Sequence, residues 1–257
     1  MPAAHGRWMR WIAVACAGAL LTGCATTGER TPGDPFEPGN RDAYRVNETL
    51  DRAALKPVAV AYHDHTPSWF QTGVGNFYNN LTYPGTALND LLQGKLVAAG
   101  QDTLRFVINT TLGWGGLIDV ATGAGLPQHQ EDLGQTLGKW GVPAGPFLMI
   151  PLLGPSSVRD LPSRVAETVL QPLYWFNFGN ARWASLGLSY VDTRARLLPV
   201  DATLERAYDK YAFVRNAYLQ RRQFLVYDGN PPEEPPEELP PDDGADDTSG
   251  EGPPPQH

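Results

Sequence analysis

From about residue 40 to residue 227, apolar positions recur at helical rather than alternating intervals. Thr66 followed by Pro67 reads as an N-cap and a first helical position, and Phe70, Val74, Phe77, Tyr78 and Leu81 then continue one apolar stripe. A second helix is expected over residues 95–112, with Val97, Gly100, Leu104, Val107, Ile108 and Thr111 on one side and Gly113 at its end. A third, longer helix is expected to start near Asp201. Its stripe is Leu204, Tyr208, Tyr211, Val214, Tyr218 and Leu225, with Arg206, Lys210, Arg221 and Arg222 among its charged positions. Shorter helices fit residues 40–55, 86–93, 132–140, 163–170 and 183–197. Strand signals are nearly absent, so the expected fold class is all-α, in a single helical domain.

Two segments depart from this pattern. Residues 141–155, GVPAGPFLMIPLLGP, carry no charged or hydrogen-bonding side chain, and their four prolines preclude a continuous helix. Irregular backbone of this kind needs partners for its own amides and carbonyls wherever it is buried. Two readings stay open: a core loop, or a loop packed within protein at membrane depth with its side chains toward acyl chains. Residues 113–119, GWGGLID, end the second helix; Gly113, Gly115 and Gly116 permit close backbone approach and positive φ, and Trp114 suits a bilayer interface. A phosphate-binding glycine loop is disfavoured here, because no strand precedes the run and no Gly-Lys-Ser/Thr follows.

The N-terminus adds an address. Arg7 and Arg10 precede the apolar run at residues 12–21, which is the order of an export signal. As a helix of ten residues it reaches about 15 Å, half of a bilayer core of about 30 Å. Leu21-Thr22-Gly23-Cys24 looks like the lipobox of bacterial lipoproteins, in which the cysteine is acylated and becomes the first mature residue. Two or more acyl chains anchor stably, since each buried methylene contributes about 0.8 kcal/mol. Ala25 stands where lipoproteins retained at the inner membrane often carry Asp, so the expected location is the periplasmic side of the outer membrane, with lipid attached at Cys24.

The two cysteines of the chain are thereby accounted for: Cys16 leaves with the signal and Cys24 is blocked by lipid. No disulfide is expected, and packing of about 200 residues must supply stability. The formal net charge of -8 is concentrated in the tail, since residues 228–257 hold ten acids and no Lys or Arg. The remainder of the mature chain is balanced, with no basic stripe for nucleic acid. Nine prolines interleave the acids of the tail, so it is expected to be disordered, as extended, self-repelling chain; a solubilising tail and an acidic docking arm are both compatible with it. The expected organisation is thus signal 1–23, acylated linker 24–39, helical body 40–227 and acidic tail 228–257.

Ordered blocks along the body resemble the MlaA family, also called VacJ. They are Asp34-Pro35-Phe36-Glu37 with Asn40-Arg41, Lys56-Pro57-Val58-Ala59, Gly75-Asn76-Phe77 with Asn80-Leu81 and Pro84, and Asn89 with Leu92-Gln93-Gly94. Arg105-Phe106, Asn109-Thr110, Leu112-Gly113, Gly115-Gly116 and Ile118-Asp119-Val120-Ala121 follow, then Glu131-Asp132 with Gly134-Gln135-Thr136-Leu137-Gly138. The last blocks are Gly141-Val142, Gly145-Pro146, Pro151, Gly154-Pro155-Ser156, Arg159-Asp160 and Asp192-Thr193-Arg194-Ala195-Arg196, so the likeness spans residues 34–225. The resemblance implies a ring-like helical domain in the inner leaflet of the outer membrane, with an amphipathic channel. Phospholipids misplaced in the outer leaflet would pass through it to a soluble periplasmic carrier, and family members associate with trimeric porins. It implies a channel or gating loop at Gly141, Gly145, Pro146, Phe147, Leu148, Ile150, Pro151 and Gly154, bordered by the helix-end glycines. Pro143 stands where more glycine would be expected, Leu161-Pro162 replaces common glycines, and the acidic tail is foreign to the family pattern.

Other chemistry fares worse on the residues. Ser156 or Ser157 with Asp160 and a distant histidine could be nominated as a hydrolase set, but no Gly-x-Ser-x-Gly elbow surrounds them, and Ser156 reads better as a cap for the segment that follows. His63-Asp64-His65 suggests a metal pair only if extended, and no third ligand is evident. Arg105, Lys139, Arg159 and Arg194 could fork onto phosphate head groups or serve as paired structural charges. The expectation is a non-enzymatic lipid conduit with no catalytic residue, metal or cofactor; a structural surface lipoprotein is the alternative.

Overall fold

The computed structural model describes residues 34–170 and 180–232. The signal, Cys24, the linker through residue 33 and the tail from residue 233 lie outside the described residues. What is described is mostly helical, as expected, with one two-stranded sheet.

The described residues begin inside the stretch assigned to the linker: Asp34 is buried, and helix α1 (Glu37–Leu50) opens on an acidic residue and Pro38, both suited to a first turn. A π-helical turn (Asp51–Leu55) joins it to α2 (Lys56–His65). The Lys56 amide bonds back to the Asp51 carbonyl, and Pro57, which has no amide to donate, comes immediately after this widened turn. Thr66 does not cap the next helix. It closes α2 in an extended conformation, as the residue before a proline is pressed to do, and α3 starts at Ser68 after Pro67.

Helix α3 (Ser68–Leu92) fuses the two helices expected over 67–81 and 86–93, running through Pro84. It turns into α4 (Leu96–Thr111) through Gly94, whose φ is +79°, with the Lys95 amide closing onto the Asp90 carbonyl. Short helices α5 (Val120–Gly123) and α6 (Leu133–Lys139) are each opened by an aspartate, Asp119 and Asp132.

The segment 141–155, where the sequence predicts no strand, contributes to a hairpin in which β1 (Phe147–Ile150) pairs antiparallel with β2 (Gly154–Ser157), Phe147 opposite Ser157 and Ile150 opposite Gly154. Helices α7 (Leu161–Leu170) and α8 (Asn180–Arg196) follow. The long C-terminal helix is broken: after a 3-10 turn (Leu198–Val200), α9 (Asp201–Arg206) ends at an extended Ala207, and Asp209 caps α10 (Lys210–Val226) by accepting the Ala212 amide at 3.1 Å. Tyr208, placed on the expected stripe, is fully exposed at this break.

The apolar core is small and aromatic. Phe147 and Met149 from β1 pack on Tyr211, with Ala43, Tyr44, Val214, Tyr218 and Leu219 around them. Phe147 meets Tyr211 and Tyr218 edge to face at 6.1 and 5.9 Å between centroids. This cluster ties α1, the hairpin and α10 together.

Candidate lipid-contacting surface and its polar interior

Helix α4 is amphipathic in the reverse of the usual sense. Its inward positions are Ala99, Asp102, Arg105 and Asn109, at intervals of three or four, while Leu96, Val97, Leu104 and Val107 on its other side are exposed, Val97 at 76%. Leu112, Trp114, Leu117 and Ile118, just beyond the C-terminal end of α4, and Leu88, Leu91 and Leu92 on α3 are exposed as well. Among the largest completely buried side chains, Phe147 is the one apolar member; Arg105, Asn80, Asn89, Thr136, Asp34, Asp90, Asp102, Ser156 and Ser157 are the rest.

Burial of so many polar groups is sustained by pairing. Arg105 donates to Tyr83 Oη at 2.8 Å, to the Leu126 carbonyl, to both Asp119 oxygens at 2.9 and 2.8 Å, and to Thr122. Asn109 donates to Asp119 and accepts the Ala121 amide, which fixes α5 against α4. Burial pushes the Asp119 carboxyl up, but Thr122, Asn109 and Arg105 overcome it and hold it below the usual carboxylate range. A second network centres on Asp160, which accepts from Arg159 at 2.8 Å, Tyr218 at 2.7 Å and Arg222 at 2.9 Å; Arg222 also grips Asp132. Against the opposing effect of burial, these donors lower Asp160 to about 2. Arg194 joins Asp51 to Asp201, and Lys139 pairs with Asp228. All four cations nominated as phosphate ligands are therefore engaged with the protein.

The helix-end glycines do three different things. A Cβ on Gly113 would lie 2.1 Å from the Ile118 carbonyl oxygen, so close backbone approach requires glycine there. Gly116, at φ +96°, would place a Cβ 2.6 Å from that of Asn80. Gly115, at φ +73°, faces open space and serves the turn alone. Between them Trp114 stands 79% exposed at φ +54°.

The loop residues divide by the pleat of the hairpin. Phe147 and Met149 point into the aromatic core, while Leu148 and Ile150 are half-buried on the opposite face. Gly141, Gly145 and Gly154 have φ of +89°, +67° and +80°; Pro146 is half-buried and Pro151 exposed, followed by Leu152 at the exposed tip. Sequence reasoning missed what holds this hairpin. Asn40 donates to the Phe147 carbonyl at 3.0 Å and accepts the Met149 amide at 2.9 Å; Asn47, two turns along α1, repeats the pattern with the Ile150 carbonyl and the Leu152 amide. Arg164 donates to the carbonyls of Leu153 and Pro155. The signal available in the sequence was the seven-residue spacing of two asparagines on one helix face.

Ser156 and Ser157 are completely buried, and Ser157, not Ser156, takes the capping role by accepting the Asp160 amide at 3.2 Å. His63 and His65 lie at the exposed end of α2, where a spacing of two residues puts them on different helix faces. A cavity of 220 Å³ is lined by Asn79, Thr82, Thr86, Glu131, Gln135 and Leu225 among others. No helix among the described residues is long and apolar enough to cross a membrane.

Residues 32–225 match the family model described as MlaA lipoprotein. The chain is 37% identical over 236 residues to the intermembrane phospholipid transport system lipoprotein MlaA of Shigella flexneri, covering 88% of this chain and 92% of that protein, with the same figures for the Escherichia coli protein of that name. The Haemophilus influenzae protein is 33% identical over 218 residues, covering 81% and 87%. A solved chain from work on the structural basis for maintenance of bacterial outer membrane lipid asymmetry superposes with a TM-score of 0.67 at 37% identity, covering 75% of this chain and 98% of that one.

Proposed function

Since the chain belongs to the MlaA lipoprotein family, we propose that it is an outer-membrane phospholipid-transport lipoprotein that withdraws misplaced phospholipid from the outer leaflet and passes it inward, maintaining lipid asymmetry. The observation that carries this reading is the inverted distribution of polarity: charged and amide side chains are buried, and Leu96, Val97, Leu112 and Trp114 are exposed. Leaving each such large apolar side chain in water forgoes about 1.5–3 kcal/mol of burial, and exposed large apolar side chains in such number mark a contact with membrane or protein. Acyl chains would cover it, while the buried network keeps α3, α4 and α5 from collapsing about a polar interior. The relatives' names refer to phospholipid transport and the solved neighbour's to outer-membrane asymmetry, which supports the same assignment.

The finer reading has four parts. Cys24 carries the lipid anchor; the body sits in the inner leaflet as a ring around an amphipathic path; a trimeric porin holds it; and a soluble periplasmic carrier receives the lipid. A channel in the outer membrane has no nucleotide to use, so movement follows a gradient or the affinity of the next carrier. Within the path, the half-buried face of the hairpin, Leu148 and Ile150, borders the passing lipid, with Gly141 and Gly145 bounding the segment and Gly113, Gly115 and Gly116 shaping its neighbour.

The test is outer-leaflet phospholipid in a deletion strain, read with a membrane-impermeant amine-reactive label while wild-type, Cys24→Ala, Leu148→Asp and Ile150→Asp genes are restored in parallel. Increased labelling that wild type alone reverses, with variant protein levels unchanged and without new lysophospholipid, is the expected result. Unchanged labelling on deletion would move the assignment to a structural lipoprotein, and full rescue by both Asp variants would remove the hairpin from the path.

A further inference from the structure

The 220 Å³ cavity is lined by α3, by the residues that open α6 and by Leu225 near the end of α10, with no contribution from the hairpin. Its wall is rich in acceptors. Gln135 is 3% exposed, and its amide is held in one orientation: Nε2 donates to the Gln130 carbonyl at 3.0 Å and to Asp132 at 3.1 Å. A flip would set the amide oxygen against both acceptors. Oε1 is thereby left without a donor, and Gln135 is the one lining residue with a buried polar atom in that state. The carboxyls of Asp90 and Asp102, where burial and then the hydrogen bond between them raise Asp90 to about 7, lie off this wall.

The wall also carries the carboxylates of Glu131 and Asp132. Burial pushes Asp132 up, but Arg222 and the hydrogen bonds from Gln135 hold it below the usual carboxylate range. Their cationic partners, Lys95 and Arg222, are not lining residues, so no Lys or Arg stands on the wall. Buried Thr86 adds a hydroxyl that can rotate to accept. Such a lining disfavours a phosphate and asks for a donor, above all a charged one. The cavity is also continuous with an apolar track. Leu81 and Gly85 line it, and with Leu88 and Leu92 they form one stripe of α3, at intervals of four, three and four residues. Leu88 and Leu92 are exposed. An acyl chain laid along that stripe brings its polar end to the cavity.

We propose that this cavity receives the primary ammonium head group of a phospholipid, with Gln135 Oε1 and the Thr86 hydroxyl as acceptors and the Glu131 and Asp132 carboxylates supplying a favourable field. The inference rests on the transport reading and adds a head-group preference to it. A primary ammonium offers three donors, whereas a trimethylated one has the same charge and none.

The experiment is saturation-transfer NMR of the full mature chain in detergent, titrated with glycerophosphoethanolamine, glycerophosphocholine and free ethanolamine. Glycerophosphoethanolamine should bind at least about tenfold more tightly than glycerophosphocholine, the difference expected from charge-assisted hydrogen bonds that only the first can make. Gln135→Met should weaken that binding to a similar degree. Thr82→Trp, at an exposed lining residue, should abolish it by filling the space, and it keeps the test decisive if the Gln135 variant fails to fold. Equal affinity for the two esters, saturation transfer that survives Thr82→Trp, or none to any probe, as when water alone fills the cavity, would overturn the proposal. Binding of ethanolamine with exclusion of its glycerophospho ester would overturn the lipid assignment. The readout requires no transport, so its failure leaves the labelling result standing, and unchanged labelling in the deletion strain would leave the binding result standing.

Discussion

Asp160 gathers Arg159, Tyr218 and Arg222 on one buried carboxylate, linking the segment after the hairpin to α10 and, through Arg222, to the cap of α6. Removing one member of a buried pair leaves the others uncompensated, at about 3–5 kcal/mol. Asp160→Ala should therefore lower the unfolding free energy read from urea denaturation by that much, and Tyr218→Phe by far less. The pH dependence follows from the direction of each shift. Asp160 has its folded value lowered to about 2, so its contribution is complete above the ordinary range near 3.8 and disappears as pH falls through 2. Asp90 behaves oppositely. Its folded value of about 7 exceeds the ordinary 3.8, so it destabilises fully above pH 7, and the penalty is relieved as pH falls toward 4. Thermal melts should show Asp90→Asn more stable than wild type at pH 8, with the difference shrinking by pH 5. At the glycines, Gly116→Ala should cost about 1–3 kcal/mol through the Asn80 clash and the positive φ. Gly100→Ala, in open space on α4, should cost nothing measurable by the same assay.

At the scale of elements, the hairpin is better described as clamped than as a free loop. Its own pairing continues past the strands, where the amides of Val158 and Arg159 reach the carbonyls of Pro146 and Ala144. Along β1 the partner is not a third strand but two amide side chains of α1, which supply a donor and an acceptor each as a backbone would. Asn47→Ala should raise hydrogen exchange at Leu152 selectively. Asn40→Ala, which also loses a bond to Asp34, should destabilise globally by about 1–3 kcal/mol. Any motion that admits lipid is then expected at residues 141–145, where two glycines flank Pro143, rather than within the strands. The split of α9 from α10 has an equally local cause. Asp209 accepts the Ala212 amide and is itself held by Arg41 at 2.6 Å, so a stripe that could have run unbroken is interrupted by a cap with a tertiary partner.

For the whole molecule, the decisive quantity is which side of each amphipathic helix meets the interior. Serine at Leu96, Val97, Leu112 and Trp114 together should weaken co-flotation of the mature chain carrying Cys24→Ser with phospholipid vesicles by at least about tenfold, because each loss of apolar contact exceeds 1 kcal/mol. Unchanged flotation would mean that this face is covered by protein. The acidic tail attaches beyond Asp228, which Lys95 and Lys139 hold against the body. Truncation after Asn230 should accordingly leave lipid labelling at the wild-type level, whereas a cut before Asp228 removes a structural contact.

Local sequence determined much of this protein. Helical periodicity, the aspartates that open α5 and α6, the glycine that closes α3 and the ordered blocks shared with the family all depend on residues a few positions apart. Tertiary structure decided the rest. Periodicity marks an apolar stripe on α4 without saying what lies against it, and only the assembled fold turns Asp102, Arg105 and Asn109 inward and the stripe outward. The hairpin is hidden because β1 is apolar on both faces, which erases the alternation that announces a strand, and because its clamp comes from asparagines about a hundred residues away. The networks that make a polar interior tolerable join partners as distant as Asp132 and Arg222. Local propensity acts within a turn or two of chain, whereas the pairing of buried charges is fixed only when separate elements meet.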